Sequence, residues 1–440
     1  MDTHNIREEL VSRFFRYVAV ESQSDPGSPC LPSSSGQKRL ADLLAEELRR
    51  LALEDVVVDD NAIVTAVKRG HAADAPKIGF MAHLDTIDIG LSATIRPQLF
   101  HFEGGDFCIN PEQDIWIRAD ECPGLAQWKG EDIITSDGTS VLGADNKAAI
   151  AIIMTLLARL GALDIHGDIH VAFVPDEEIG LLGAKALDPA RFPCDFAYTI
   201  DCCELGEVML ETFNAASCEI TFSGVSAHPM NAKDVLVNPL LMAVDLIAQF
   251  DRRDTPEATN GREGFFWFKD LSANESTARL QLLIRDFDRS AFELRKQECI
   301  EAIDKVRARH PRGAVEVQIT DTYFNIADAL ATDDRASTIL CAAVDELGIK
   351  IKPAAMRGGT DGAVLSARGI PTPNVFTGAH NFHSRLEFLP VSAFEKSFQV
   401  SLKICELAAK TGEHACDSGR VTGVGRSVCQ TIVRLPRTAI

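Results

Sequence analysis

The sequence predicts an α/β protein: a domain built on a doubly wound mixed sheet, with an inserted ferredoxin-like α+β domain. Three observations predict it. Up to residue 216, short apolar runs ending in His, Asp or Glu alternate with stretches of helical spacing, which is the pattern of a largely parallel sheet. Over 217–329 the order becomes β-α-β-β-α-β. From 330 to about 410 the first rhythm returns. At 440 residues the chain suits two or three domains.

Taken in order, residues 6–20 and 36–53 carry apolar positions at helical spacing, joined by the loop SDPGSPCLPSSS. Residues 56–67 alternate as strands do, and KIGFMA (77–82) is a short buried strand ending at His83-Leu84-Asp85. Residues 88–130 read as irregular. A further strand ends at Ile134, a turn follows at Asp137-Gly138, and Gly143-Ala144-Asp145 opens a helix that is apolar almost all round. Such a helix is buried. Asp145 is thereby held at the mouth of a packed layer, where a carboxylate is costly unless something positive meets it. Strand 169–174 stops at Pro175, just before Glu177-Glu178, and AYTID ends at Asp201. In sheets of this kind ligands gather at the carboxyl ends of the strands.

The inserted domain reads as strand CEITFSG, helix 236–250, strands GFFWFKDL and ARLQLLIRDF, helix 290–309 and strand AVEVQIT. A helix over 336–347, the loop Arg357-Gly358-Gly359-Thr360-Asp361-Gly362, strand PTPNVF and a last helix to about 409 return to the first domain. Residues 411–440 show no sustained period and are expected to form a mobile tail.

An apolar fraction of 46% with 25% charged residues is that of a globular protein. The formal charge of -20 argues against nucleic acid and anionic membrane as partners, since both need a basic face. No run approaches the ~18 apolar residues of a membrane span, and MDTHNIREEL lacks the features of a secretory leader. The expected location is cytoplasmic. The 12 cysteines are scattered without a CxxC pair and are expected to be reduced.

His83, Asp85, Glu177, Glu178 and Asp201 all lie just past strand ends, Asp145 opens a helix, and His383 follows the last strand. Each alone has a plainer reading. Asp145 can be an N-cap, Glu177-Glu178 the acids of a first helical turn, Asp201 a turn residue, and His83 a hydrogen-bonded core histidine. Gathered on one edge, they form a negative cluster that a cation must neutralise. Two imidazoles with several carboxylates suit Zn²⁺, with Co²⁺ or Mn²⁺ admitted by the oxygen ligands, and metal-activated water makes hydrolysis the natural chemistry.

HLD (83–85), GADNKAA (143–149), PDEEIG (175–180), the strand end at Asp201, SAHP (226–229), RGGTDG (357–362) and NFH (381–383) together resemble the M20 family of two-zinc peptidases. The tracts AYTID, FNAAS (213–217), NPL (238–240), EGF (263–265) and IRDFDR (284–289) make the chain similar to that family's tripeptide aminopeptidases, over residues 6–410. The resemblance implies that Asp145 bridges two Zn²⁺, that His83 and Asp201 complete one site, and that Glu178 and His383 complete the other. It implies Glu177 as general base, Asp85 as the residue orienting the His83 ring, and a cis peptide between Asp145 and Asn146. It also implies His228 on the substrate carbonyl or oxyanion, and Arg357 with Arg285 on the peptide carboxylate. The expected activity is release of the N-terminal residue from short peptides, above all tripeptides, by a homodimer in which the first domain is catalytic and the inserted domain serves as lid and dimerisation module. A dipeptidase, an N-acyl amino acid deacylase, or an inactive peptide-binding protein are the alternatives. The chain departs from the pattern at Asn146, Met230 and Cys202-Cys203, beside the expected pocket.

Overall fold

The computed structural model describes residues 3–413 other than 164 and 165. They form two compact units. One comprises the chain up to Leu210, Ile326–Ala354 and the chain from Thr360; the other comprises Glu211–Asn325 and Ala355–Gly359.

The first unit is built on an eight-stranded sheet in the order Glu54–Val58, Val64–Lys68, Ile169–Val174, Ile78–His83, Phe196–Cys202, Asn374–Phe376, Glu207–Thr212, Lys352–Met356. Its centre is parallel: Ile78–His83 pairs in parallel with both Ile169–Val174 and Phe196–Cys202, and Asn374–Phe376 joins the latter in parallel. The flanking pairs Val64–Lys68 with Ile169–Val174 and Glu207–Thr212 with Asn374–Phe376 are antiparallel. Every residue of Ile78–His83 and Ile169–Val174 is buried, which is why these strands read as unbroken apolar runs rather than alternating ones. His83 lies opposite Val174, and Cys202 opposite Phe376. The segments that leave these strands therefore emerge along one edge.

The helix Ala144–Arg159 is buried from Ala144 to Leu157. It begins abruptly: Gly143 adopts φ 73°, and Asp145 (φ −81°, ψ 101°) is not yet helical. A side chain at Gly143 would be strained by that φ and would meet Ile95 and Thr86 at 3.0 and 3.2 Å. The Asp145-Asn146 peptide is cis. No side chain within the segment caps this helix, so the simple capping role for Asp145 does not hold.

Residues 88–130 are more ordered than the sequence suggests. Gln98–Phe102 pairs with Glu131–Thr135, whose other edge takes Phe388–Pro390, and Phe107–Asn110 pairs with Ile115–Ile117. Phe102, Ile109, Ile117, Trp128, Ile133 and Phe388 pack together beneath them. Strands this short span too few residues for a period of two to register. The last helix, Val391–Glu413, continues beyond 409, so the expected tail loses residues 411–413 to it; residues 414–440 lie outside the described residues. Among the described residues no helix is long and apolar enough to cross a membrane.

The second unit is a four-stranded antiparallel sheet in the order Phe265–Ala273, Thr277–Asp286, Asn214–Ser223, Ala314–Tyr323, with helices Pro239–Ile247 and Arg289–Arg309. That is the ferredoxin-like order. Ile220, Phe222, Leu282, Ile284, Phe292 and Ile303 lie in its core. Its first helix is shorter than the spacing predicts, because Asn238 caps Leu240 N–H at 3.0 Å and Pro239 occupies the first turn.

Candidate active site

The loops at the carboxyl edge are pinned before any ligand is considered. Asp85 is fully buried; its carboxylate accepts the Glu177 N–H at 3.0 Å and the Glu178 N–H at 3.2 Å, so one strand end holds the next. The neighbouring Asp176, at φ 57°, accepts from Ser33 N–H and Gln37 Nε2, both at 2.6 Å. His83 presents Nδ1 to the Asp85 carbonyl at 3.0 Å and to its carboxylate at 3.3 Å. That leaves Nε2 turned inward.

What Nε2 meets is Asp145. Asp145 Oδ1 lies 2.9 Å from His83 Nε2, and Oδ2 lies 3.0 Å from His383 Nε2, so each oxygen of one carboxylate faces one imidazole. His383 Nε2 is also 3.0 Å from Glu178 Oε1, an ion pair to a buried oxygen that accepts no well-formed hydrogen bond. Asp201 Oδ1 stands 3.8 Å from His83 Nε2 and accepts Asn146 Nδ2 at 2.9 Å; Asn146 also donates to the Ile200 carbonyl at 2.8 Å. Donor atoms of His83, Asp145 and Glu178 all lie within 4.8 Å of one another. The Glu177 carboxylate accepts no hydrogen bond among the described residues.

The electrostatics follow from this crowding. Burial, then the charge of Asp145, raises Glu178 to about 7 and Asp201 to about 6. Burial raises Glu177 well above the usual carboxylate range, with Asp201, Asp361 and Glu178 adding repulsion. Burial also opposes charge on Asp145, but His383 and His83 outweigh it and hold that carboxyl below its ordinary value. The same pairings overcome burial at the rings: His83 rises well above its ordinary value and His383 rises to about 10. Apart from Asp145 the acids resist ionising, and the imidazoles draw in protons, which is how a carboxylate-rich cluster responds when no other cation is near. The donor set fits a borderline divalent cation: imidazole nitrogens, carboxylate oxygens, and an orphaned buried oxygen on Glu178.

Three neighbours of the cluster were not singled out from sequence. Asp361 opens the helix Asp361–Ala367, is 2% exposed, and has no partner for either oxygen; burial raises it to about 8. Its place within RGGTDG was the available signal. Asn146 reads only as a departure from the family pattern, whereas its amide holds Asp201. Glu387, buried beside Phe388, reaches the start of the helix Ala144–Arg159, and nothing local in the sequence marks it.

His228, Arg285 and Arg357 belong to the other unit. His228 is exposed, and its Nδ1 accepts the Met230 N–H at 3.2 Å. Met230 is 83% exposed. Arg357 donates to the carbonyls of Gly261 and Glu263 at 3.1 and 3.0 Å and to Thr259 Oγ1 at 2.7 Å, and it lies over the rings of Phe213 and Phe265. Arg285 donates to the carbonyls of Ala216 and Ile284 and lies over Tyr323. Cys202 and Cys203 are both free thiols.

Comparison with known proteins bears on this geometry. Residues 142–407 match the profile of peptidase family M20/M25/M40. A peptidase T-like protein of Rhizobium meliloti (strain 1021) is 66% identical over 404 residues, covering 92% of this chain and 99% of its own. Peptidase T of Geobacillus kaustophilus (strain HTA426) is 40% identical over 406 residues, covering 91% and 98%. Among solved structures, aminopeptidase PepT from Bacillus cereus superposes with TM-score 0.72 at 21% identity, covering 92% of this chain and 99% of its own. A dinuclear metal-binding peptidase of the M20 family from Bacillus subtilis gives 0.58 at 15% identity, covering 93% and 99%. At those identities the two structures establish a shared fold.

Proposed function

The chain belongs to peptidase family M20/M25/M40, and on that premise we propose that it is a metallo-aminopeptidase removing the N-terminal residue of short peptides, above all tripeptides. The observation that carries the reading is Asp145, each of whose carboxylate oxygens faces a different imidazole, an arrangement that would let one carboxylate serve two cations. The relatives named peptidase T support the substrate class. Asp145 would be held in common, with His83 and Asp201 completing one ligand set and Glu178 and His383 the other. When bound, a pair of Zn²⁺ ions, or Co²⁺ or Mn²⁺ in their place, supplies Lewis-acid activation of water and of the scissile carbonyl.

The chain's own residues do the rest. Glu177 takes a proton from the attacking water on its carboxylate and returns it to the leaving amine, and its burial suits a group that must hold a proton near neutral pH. Asp85 keeps the His83 ring oriented through Nδ1. His228 is assigned to the developing oxyanion; its Nε2 has no partner among the described residues. Arg357 and Arg285 are assigned to the substrate carboxylate, which must displace backbone oxygens that they now hold. The second unit is read as lid and dimerisation module. Exposed Leu240, Leu241 and Val244 on the helix Pro239–Ile247 support a homodimer, and the proposed location is the cytoplasm.

Dialysis against a strong chelator should abolish tripeptide hydrolysis, and zinc or cobalt should restore it. Persistence of the activity without metal would overturn the reading. A preference for N-acylated over free N-termini would replace the aminopeptidase with a deacylase.

A further inference from the structure

We infer that Glu387 is a positioning residue that locks the His383 loop to the start of the helix Ala144–Arg159, so that Asp145 and His383 are held as one unit. The inference rests on the metal-site reading above. Glu387 is 1% exposed, and both of its oxygens accept from backbone: Oε2 from Leu142 N–H at 2.8 Å and Gly143 N–H at 3.0 Å, Oε1 from Asp145 N–H at 3.2 Å. The first N–H groups of a helix have no partners within it, and no local side chain caps this one. With Gly143 in the left-handed region, the successive N–H groups turn inward into a concavity suited to an anion. Glu387 supplies the two acceptor oxygens for that concavity from 242 residues away.

The other end of the lock is equally defined. The loop 380–388 is closed at its neck by His380 N–H to the Phe388 carbonyl at 2.8 Å and by Phe388 N–H to the His380 carbonyl at 3.2 Å. Phe388 then pairs with Thr135 in the short three-stranded sheet. His383, at φ 59°, sits within this closed loop, and Glu387 stands at its neck. A shift of the Glu387 carboxylate therefore alters where Asp145 stands relative to the His383 ring.

The side chain must accept at both ends, so Glu387→Gln is not a neutral replacement: its amide NH₂ must face one of three N–H donors. In the full-length chain, E387Q should speed amide hydrogen exchange over 142–146 in the metal-free protein. It should also weaken zinc affinity, measured by competition with a chromophoric chelator, by ~10–100-fold. Unchanged exchange would overturn the three bonds. Faster exchange with unchanged zinc affinity would reduce Glu387 to a helix cap and overturn the positioning role. A wild-type chain that takes up no zinc would sink the metal reading, and the positioning role with it, while the exchange arm still reports on the three bonds separately. Should E387Q fail to fold, Glu387→Asp keeps both acceptor oxygens with shorter reach. The same two measurements then apply, a smaller loss of zinc affinity being expected and wild-type affinity being disqualifying.

Discussion

The carboxyl edge of the eight-stranded sheet and the loops of the second unit both gather charged side chains, but they leave them in opposite states. At the edge, His83, Asp145 and His383 come from stretches 62 and 238 residues apart and meet directly, and a Glu178 oxygen is buried without a hydrogen-bond partner. In the second unit, Arg285 Nη1 and Arg357 Nη1 donate to nearby carbonyls, Arg357 Nη2 donates to Thr259 Oγ1, and both guanidinium faces lie on aromatic rings. The first region is short of positive charge, while the guanidiniums of the second already have partners within their own unit. Unmet demand for charge, more than residue type, marks the place where a cation belongs.

The strongest way to break that contrast is Asp145→Asn, which leaves an amide NH₂ facing an imidazole. Peptide hydrolysis should fall to background and bound metal should drop, as read by elemental analysis; full metal content would mean that the shared ligand lies elsewhere. Glu177→Gln comes next, with turnover expected to fall by roughly 10²–10⁴ while metal content stays at the wild-type level. A parallel loss of metal would make Glu177 a ligand rather than the base.

A finer contrast lies within one loop, between His383 and His380. His380 accepts Trp128 Nε1–H at 3.1 Å on Nε2, stacks on Phe388, and faces Glu204 Oε1 at 3.7 Å with Lys352 nearby. Burial lowers it to about 4, opposed by Glu204 and reinforced by Lys352. A histidine depressed in the folded state contributes stability above its unfolded value of 6.5, and this is lost as pH falls toward 4. The full loss is about 3 kcal/mol. Melting curves between pH 7 and 4.5 should show a smaller acid loss in His380→Gln than in wild type; equal losses would remove His380 as the cause.

The smallest effect tests the arginines themselves. Arg357→Ala should cost about 1–3 kcal/mol of stability through its loop bonds and ring contacts. The tripeptide KM should rise more than about tenfold as well, since the guanidinium is assigned to the substrate carboxylate; an unchanged KM would leave Arg357 only those loop and ring contacts.

The element order was readable because periodicity is local. The runs that became Ile78–His83, Ile169–Val174 and Phe196–Cys202 are apolar without alternation, and acids and histidines at their ends stand out against them. The short strands within 88–130 were missed for the converse reason, being stabilised by packing around Trp128 and Ile133 rather than by a pattern of their own. Glu387 and Asn146 escaped because their partners lie at other points of the chain, and a lone acid beside Phe388 looks like a solvated edge.

The sequence by itself therefore determined most of the elements and which strand ends carry acids and histidines, since both depend on neighbours along the chain. Only the tertiary structure decided which Asp145 oxygen faces which ring, which buried oxygen stays unpaired, and which carboxylate seats the helix start. Those outcomes depend on parallel register setting His83 opposite Val174 and on a loop closed at Phe388, and they act through distances of a few ångströms between residues far apart in sequence.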